Sequence, residues 1–248
     1  MKNYKLIIQY DGSRYKGWQR LGNNENTIQG KIEQVLTEMT GEKIEIIGSS
    51  RTDAGVHALH QVANVKTNYQ TSPAEIKAYV NRYLPQDISV TDVEEVSERF
   101  HARYHTKQKT YIYKIWNQDH PHPFMRKYSM HVKEKLDISK IKKAAHFFIG
   151  EHDFTAFSNA KSKKKTMFRE VYGIDIQEED GFILIRVNGN GFLYNMVRKM
   201  VGTLIKVGLN EVEAESIPAI LQSKERNQAG YMAEAGGLLL EKIEFIDE

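Results

Sequence analysis

Cysteine is absent from all 248 residues. Disulfides, thiolate-ligated zinc and thiol nucleophiles are excluded together, and the absence fits a cytoplasmic protein. No apolar run approaches the roughly 18 residues that a membrane helix needs. The start of the chain, Met1-Lys2-Asn3-Tyr4-Lys5-Leu6, has no apolar signal core and no small-residue cleavage site. No Gly/Ser-rich or Pro-rich linker divides the sequence, and there is no low-complexity tract. Complete nucleotide loops are missing as well. Gly189-Asn190-Gly191 lacks the third glycine of a dinucleotide fingerprint, and no Walker loop occurs, so a tight turn before a helix is the reading there. Metal signatures are also lacking. His57, His60, His101 and His105 match no zinc spacing, and His57-x-x-His60 lacks the glutamate of a metalloprotease helix.

Hydrophobic residues make up 40% of the chain and charged residues 27%, the balance of an ordinary folded protein. The net charge is only +3, but its distribution is uneven. Arg99 to Lys127 holds seven Lys/Arg and one acid, and Lys140 to Arg169 holds eight against two. The last forty residues reverse this, with nine acids against three bases. Any one such run is usually a solvated face. Two basic stretches in mid-chain point to a surface that attracts a polyanion.

Periodicity predicts strands at Tyr4–Tyr10, Lys43–Ile47, Gln61–Thr67 and Ile88–Val96. Ile28, Ile32, Val35, Leu36 and Met39 share a helical face over Thr27–Met39, with Gly41 as a stop signal. Ser72-Pro73-Ala74-Glu75 is a capping box, opening a helix whose apolar stripe is Ile76, Tyr79, Val80 and Tyr83. The second half repeats the order. A strand is predicted at Lys109–Trp116, a helix at Ile138–Ile149 and a hairpin of Phe168–Gln177 with Phe182–Val187. A helix at Tyr194–Val207, a shorter one near Ala214–Leu221 and a strand at Leu238–Ile246 follow. The expected fold is α+β, with two ferredoxin-like (β-α-β-β-α-β) halves forming an extended, mostly antiparallel sheet with a central cleft. The expected domains are 1–104, carrying an acidic loop, and 105–248, completing the cleft.

That loop is Arg51-Thr52-Asp53-Ala54-Gly55-Val56-His57-Ala58. Small residues after the acid let backbone or ligand approach closely. Asp53 reads either as a turn residue capping its own backbone or as a chemical group. Beside an arginine it stays ionised, which suits a nucleophile or a base. No second acid obviously partners it. Phe100, Tyr104, Tyr111, Tyr113 and Trp116 alternate with Arg103, Lys107, Lys109 and Lys114. Aromatic faces stack on bases while cations hold phosphates, so this stretch suits looped or single-stranded RNA, although one strand face is expected to be core. Lys161 to Lys165 reads as a basic loop for phosphates, and the four histidines as solvated or RNA-facing. Arg198 lies inside an apolar helix, where it either snorkels outward or pairs with a buried acid.

On these residues the chain resembles the bacterial tRNA pseudouridine synthase A (TruA) family. The matching segments are Tyr10-Asp11-Gly12, Gly17-Trp18-Gln19-Arg20, the eight-residue Asp53 loop, Phe100-His101-Ala102-Arg103 and Tyr111-Ile112-Tyr113. His152 to Phe157, Asn195 to Gly202 and Gly237-Leu238-Leu239-Leu240 complete the set. The resemblance implies the pseudouridine synthase fold and isomerisation of uridine in the tRNA anticodon stem-loop, at tRNA positions 38, 39 and 40, without cofactor or metal. It implies Asp53 as the catalytic carboxylate and Arg198 as the cation that orients it. It also implies Tyr111 as the aromatic packed on the target base, Arg51 as an aid to extruding the nucleotide, and a homodimer. The chain departs from the family at Tyr231-Met232-Ala233-Glu234-Ala235, where a proline-containing segment is common, and in the lysine-rich 159–167 stretch. A non-catalytic RNA-binding module and a histidine-based metal hydrolase are the rival readings.

Overall fold

A computed structural model of the chain describes residues 1–22, 26–159 and 166–246. By Cα packing it forms two compact units, Met1–Lys107 with the chain from Leu239 on, and Gln108–Leu238.

The first unit follows the expected order: β1 (Lys2–Tyr10), α1 (Ile28–Thr40), β2 (Ile46–Gly48), β3 (His57–Thr67), α2 (Pro73–Tyr83) and β4 (Ile88–Val96). β1 is antiparallel to both β3 and β4, and β2 is antiparallel to β3, giving the order β4-β1-β3-β2 of a ferredoxin-like sheet. Thr27 caps α1 through its side chain, and Gly41 ends it in the left-handed region at φ 71°. Both halves of the Ser72/Glu75 capping box form at α2. Its buried stripe is narrower than expected: Ile76 and Val80 are buried, whereas Tyr83 is exposed, with its ring tilted 47° against that of Tyr79 and centroids 4.6 Å apart.

Two boundaries in this unit differ from the expectation, each for a hydrogen-bonding reason. β2 is only three residues long, because side chains of α1 take the N–H groups of Ile44 and Ile46 at its start. Thr37 Oγ1 accepts from Ile44 N–H at 3.2 Å and Glu33 Oε1 from Ile46 N–H at 3.0 Å. β3 begins four residues earlier than predicted, at His57, and pairs Ala58 with Tyr10 across a bulge in β1. The short β2 covers only residues 63–65 on its edge of β3. The last strand, β10 (Leu238–Phe245), fills part of the remainder, pairing in parallel at His57 and Ala58. The end of the chain therefore groups with the first unit, not with the second half as element order alone predicts.

The second unit contains most of β5 (Thr106–Trp116), then β6 (Met130–His131), α3 (Ile138–His146), β7 (Gly150–Asp153), β8 (Phe168–Glu179), β9 (Phe182–Gly189), α4 (Met196–Gly208) and α5 (Ile217–Ser223). β9 is antiparallel to β5 and β8, β7 to β8, and β6 is parallel to β5. The β8–β9 hairpin turns on Asp180 and Gly181, with φ of 48° and 84°, as a two-residue hairpin requires. α3 stops three residues short of the predicted end. Phe148 and Ile149 bond back three residues, Ile149 is exposed, and Gly150 at φ 104° opens β7. α4 is buried nearly all round, including Arg198 and Lys199.

Candidate active site

Ser49 to Val56 cross from β2 to β3, and the segments expected to mark the family hold them. Val56 N–H bonds to the Asp53 carbonyl at 3.2 Å, closing a turn in which Gly55 takes φ 79°. The turn is thus closed by backbone. Trp18 N–H donates to the Thr52 carbonyl at 3.0 Å, and the Thr52 hydroxyl shares a buried 2.7 Å hydrogen bond with the Tyr10 hydroxyl. Gln61 clamps Ser50 from both sides, accepting from its N–H at 3.1 Å and donating to its carbonyl at 2.7 Å. Gly12 N–H donates to His57 Nδ1 at 3.1 Å.

Two glycines allow this packing. A Cβ on Gly12 would lie 2.0 Å from the Val56 carbonyl oxygen. One on Gly17, already at φ 97°, would lie 2.7 Å from that of Thr52. The Tyr10-Asp11-Gly12 and Gly17-Trp18 segments therefore build the walls against which the loop is seated. Asp53 is half-buried on it, between exposed Arg51 and exposed Ala54.

Arg103 adds charge to the same unit. Its Nε and Nη2 donate to the Gly48 carbonyl at 3.2 and 2.9 Å. Burial, and then the neighbouring Arg51 guanidinium, pull its pKa below the ordinary arginine value. Arg103 fixes the strand end that feeds the loop, a role its place in an aromatic-basic stretch did not reveal.

Tyr111 and Arg198 belong to the second unit. Tyr111, opposite Val187 on β5, is buried, with Phe192 edge-on at 5.3 Å. Tyr113 on the same face is fully buried core. Its hydroxyl donates to the Glu234 carbonyl at 2.8 Å, and burial above all raises its pKa. Arg198 does not snorkel: it is 9% exposed, and its Nε donates to the Ala233 carbonyl at 2.7 Å. Ala233 N–H returns a bond to the Arg198 carbonyl at 3.2 Å. Because this contact uses the backbone of Ala233, the unusual 231–235 sequence preserves it. Asn190 is structural, its N–H and side-chain oxygen pairing with Glu170 at 3.0 and 3.1 Å.

Among the described residues no three of His, Asp or Glu gather as a metal-binding group. His57 is buried between Gly12 and Asp11, and His101 lies against Tyr104. The expected basic loop at Lys161–Lys165 lies outside the described residues. Among the described residues no helix is long and apolar enough to cross a membrane.

Comparison with known proteins agrees across the chain. Residues 6–105 and 144–245 match the family described as tRNA pseudouridine synthase. The sequence is 65% identical over 245 residues to "tRNA pseudouridine synthase A 2" of Bacillus cereus (strain ZK / E33L), covering 99% of this chain and 100% of that protein. It is 68% identical, with the same coverage, to "tRNA pseudouridine synthase A" of Bacillus sp. (strain KSM-64). It is 44% identical to the protein of that name from Acetivibrio thermocellus, covering 98% of this chain and 99% of the other.

Proposed function

The chain belongs to the tRNA pseudouridine synthase family, and from that premise we propose that it isomerises uridine to pseudouridine in the tRNA anticodon stem-loop, with Asp53 as the catalytic carboxylate. The reaction breaks the bond from uracil N1 to ribose C1′ and forms one from C5 to C1′. C5 loses a proton and N1 gains one. Atoms and electrons balance within the nucleotide, so neither oxidant nor reductant is consumed. What the protein must supply is access to the base, a group to open the glycosidic bond and a means of moving the proton.

The observation that supports Asp53 is the way its loop is held. The turn closes through backbone, and Thr52, Ser50 and Val56 are each fixed by neighbours. A carboxylate on so constrained a loop is positioned before substrate arrives, which is what a nucleophile or base requires. Arg51 is exposed beside it, in keeping with a role in extruding the nucleotide. Extrusion from a stem costs a few kcal/mol and must be met by binding. Tyr111 is assigned to the target base, and Arg198 to keeping the carboxylate ionised and oriented. The protein acts as a homodimer on positions 38, 39 and 40.

The test is to incubate the purified protein with unmodified tRNA and a metal chelator, then map pseudouridine along the product. Conversion confined to positions 38 to 40 is expected. Conversion elsewhere would overturn the assigned substrate site, and no conversion in any tRNA would overturn the activity.

A further inference from the structure

Tyr104 is a large aromatic side chain that the fold leaves 75% exposed. It is not loose. Its ring lies on that of His101, with centroids 4.1 Å apart and planes 23° from parallel. The His101 ring is itself fixed, because Nδ1 accepts from the backbone N–H of both Arg103 and Tyr104 at 3.2 Å. That places the ring proton on Nε2. One face of Tyr104 is thus backed by a rigid, neutral ring while most of the side chain meets solvent.

Cations act on the stack. Burial first, then Arg103, His105 and Lys66, hold the His101 pKa below its ordinary value. Arg51 acts in the same way on Arg103. Arg103 also connects the stack to the Asp53 loop, through its paired hydrogen bonds to the Gly48 carbonyl. An exposed aromatic face with arginine and lysine side chains nearby can take a nucleobase on its ring and a phosphate on the cations.

We propose that Tyr104, backed by His101, is a stacking platform for an unpaired tRNA nucleobase other than the uridine being isomerised. The inference rests on the proposed function for the identity of the RNA. It names a binding residue outside the four assigned to the reacting nucleotide. Stacking adds affinity without adding charge, so its loss has a distinctive salt signature.

The experiment measures the Kd of full-length Asp53→Asn protein for unmodified tRNA across a salt series. In that background Tyr104→Ala should weaken binding by about fivefold to a hundredfold, with the slope of log Kd against log salt unchanged. Tyr104→Trp and Tyr104→Phe should bind like the parent, and Tyr104→Leu, apolar but without a π face, should bind as weakly as the alanine variant. Parental affinity in Tyr104→Ala, rescue by leucine, a changed salt slope, or a parent that binds no tRNA would each overturn the platform. Binding is read on a protein that need not turn over. Failure of the wild type to form pseudouridine would therefore defeat the proposed function while leaving this readout intact.

Discussion

His60 has a ring nitrogen, Nδ1, that is buried and has no hydrogen-bond partner among the described residues. Burial pulls its pKa below the ordinary histidine value of 6.5, and Lys5 and Lys242 push the same way. The sign of the stability effect follows. Between the ordinary value and the lowered one, the unfolded chain binds a proton that the folded ring refuses. The associated stability is complete above the ordinary value and is lost as pH falls to the lowered one. Urea midpoints should therefore fall between about pH 7.5 and about pH 5, and fall less in His60→Gln. An equal fall in both proteins would remove His60 from the account. Arg198 makes the second residue-scale prediction. Arg198→Met removes the donor to a buried carbonyl and should cost about 1–3 kcal/mol in urea unfolding. Arg198→Met and Arg198→Lys should both lower pseudouridine formation, because lysine keeps the charge but not the planar fork. Asp53 and its small neighbours were legible because the loop sequence is so particular. The state of Arg198 was not. Its anchor, the Ala233 carbonyl, lies 35 residues on, and backbone acceptors leave no mark in a sequence.

At the scale of elements, α4 and the segment after α5 approach almost backbone to backbone. A Cβ on Gly202 would sit 1.9 Å from the Tyr231 carbonyl oxygen, and one on Gly230 would meet the Thr203 backbone at 2.6 Å. Thr203 Oγ1 accepts from Gly230 N–H at 2.8 Å, and Lys199 Nζ donates to the Arg226 carbonyl at 3.0 Å. Gly202→Ala must push these segments apart and should destabilise by about 1–3 kcal/mol in urea unfolding. Because Arg198 sits one turn earlier on α4, the variant should also lose activity; unchanged stability would show that the segment is free to yield. Helix periodicity made α4 visible but left open whether Arg198, inside the apolar helix, snorkels outward or is buried. The burial of Arg198 and Lys199 depends on a strap whose own sequence has no pattern. β2 was overextended for a related reason. Lys43 to Ile47 alternates like a strand, yet Thr37 and Glu33 on α1 take its N–H groups.

At the scale of the whole molecule, the order of the main elements was readable from hydrophobic period and turn residues, whereas the short strands β6 and β7 were not predicted. The grouping of β10 with the first unit was not, because pairing partners are a matter of which edge is left open. Function at this scale is electrostatic before it is chemical. Binding of tRNA should weaken steeply with salt, and replacing Lys163, Lys164 and Lys165 by alanine should lower the salt slope by about 1 per lysine. An unchanged slope would show that this run does not touch phosphate. Sedimentation should give twice the 28.6 kDa chain mass if the homodimer is correct. The central claim, that uridine isomerisation runs through one carboxylate, is tested most directly with tRNA carrying tritium at uridine C5. Wild-type protein should release that tritium to solvent, and Asp53→Asn, which keeps the loop's shape but removes the charge, should release none; release that persists in Asp53→Asn would contradict the account.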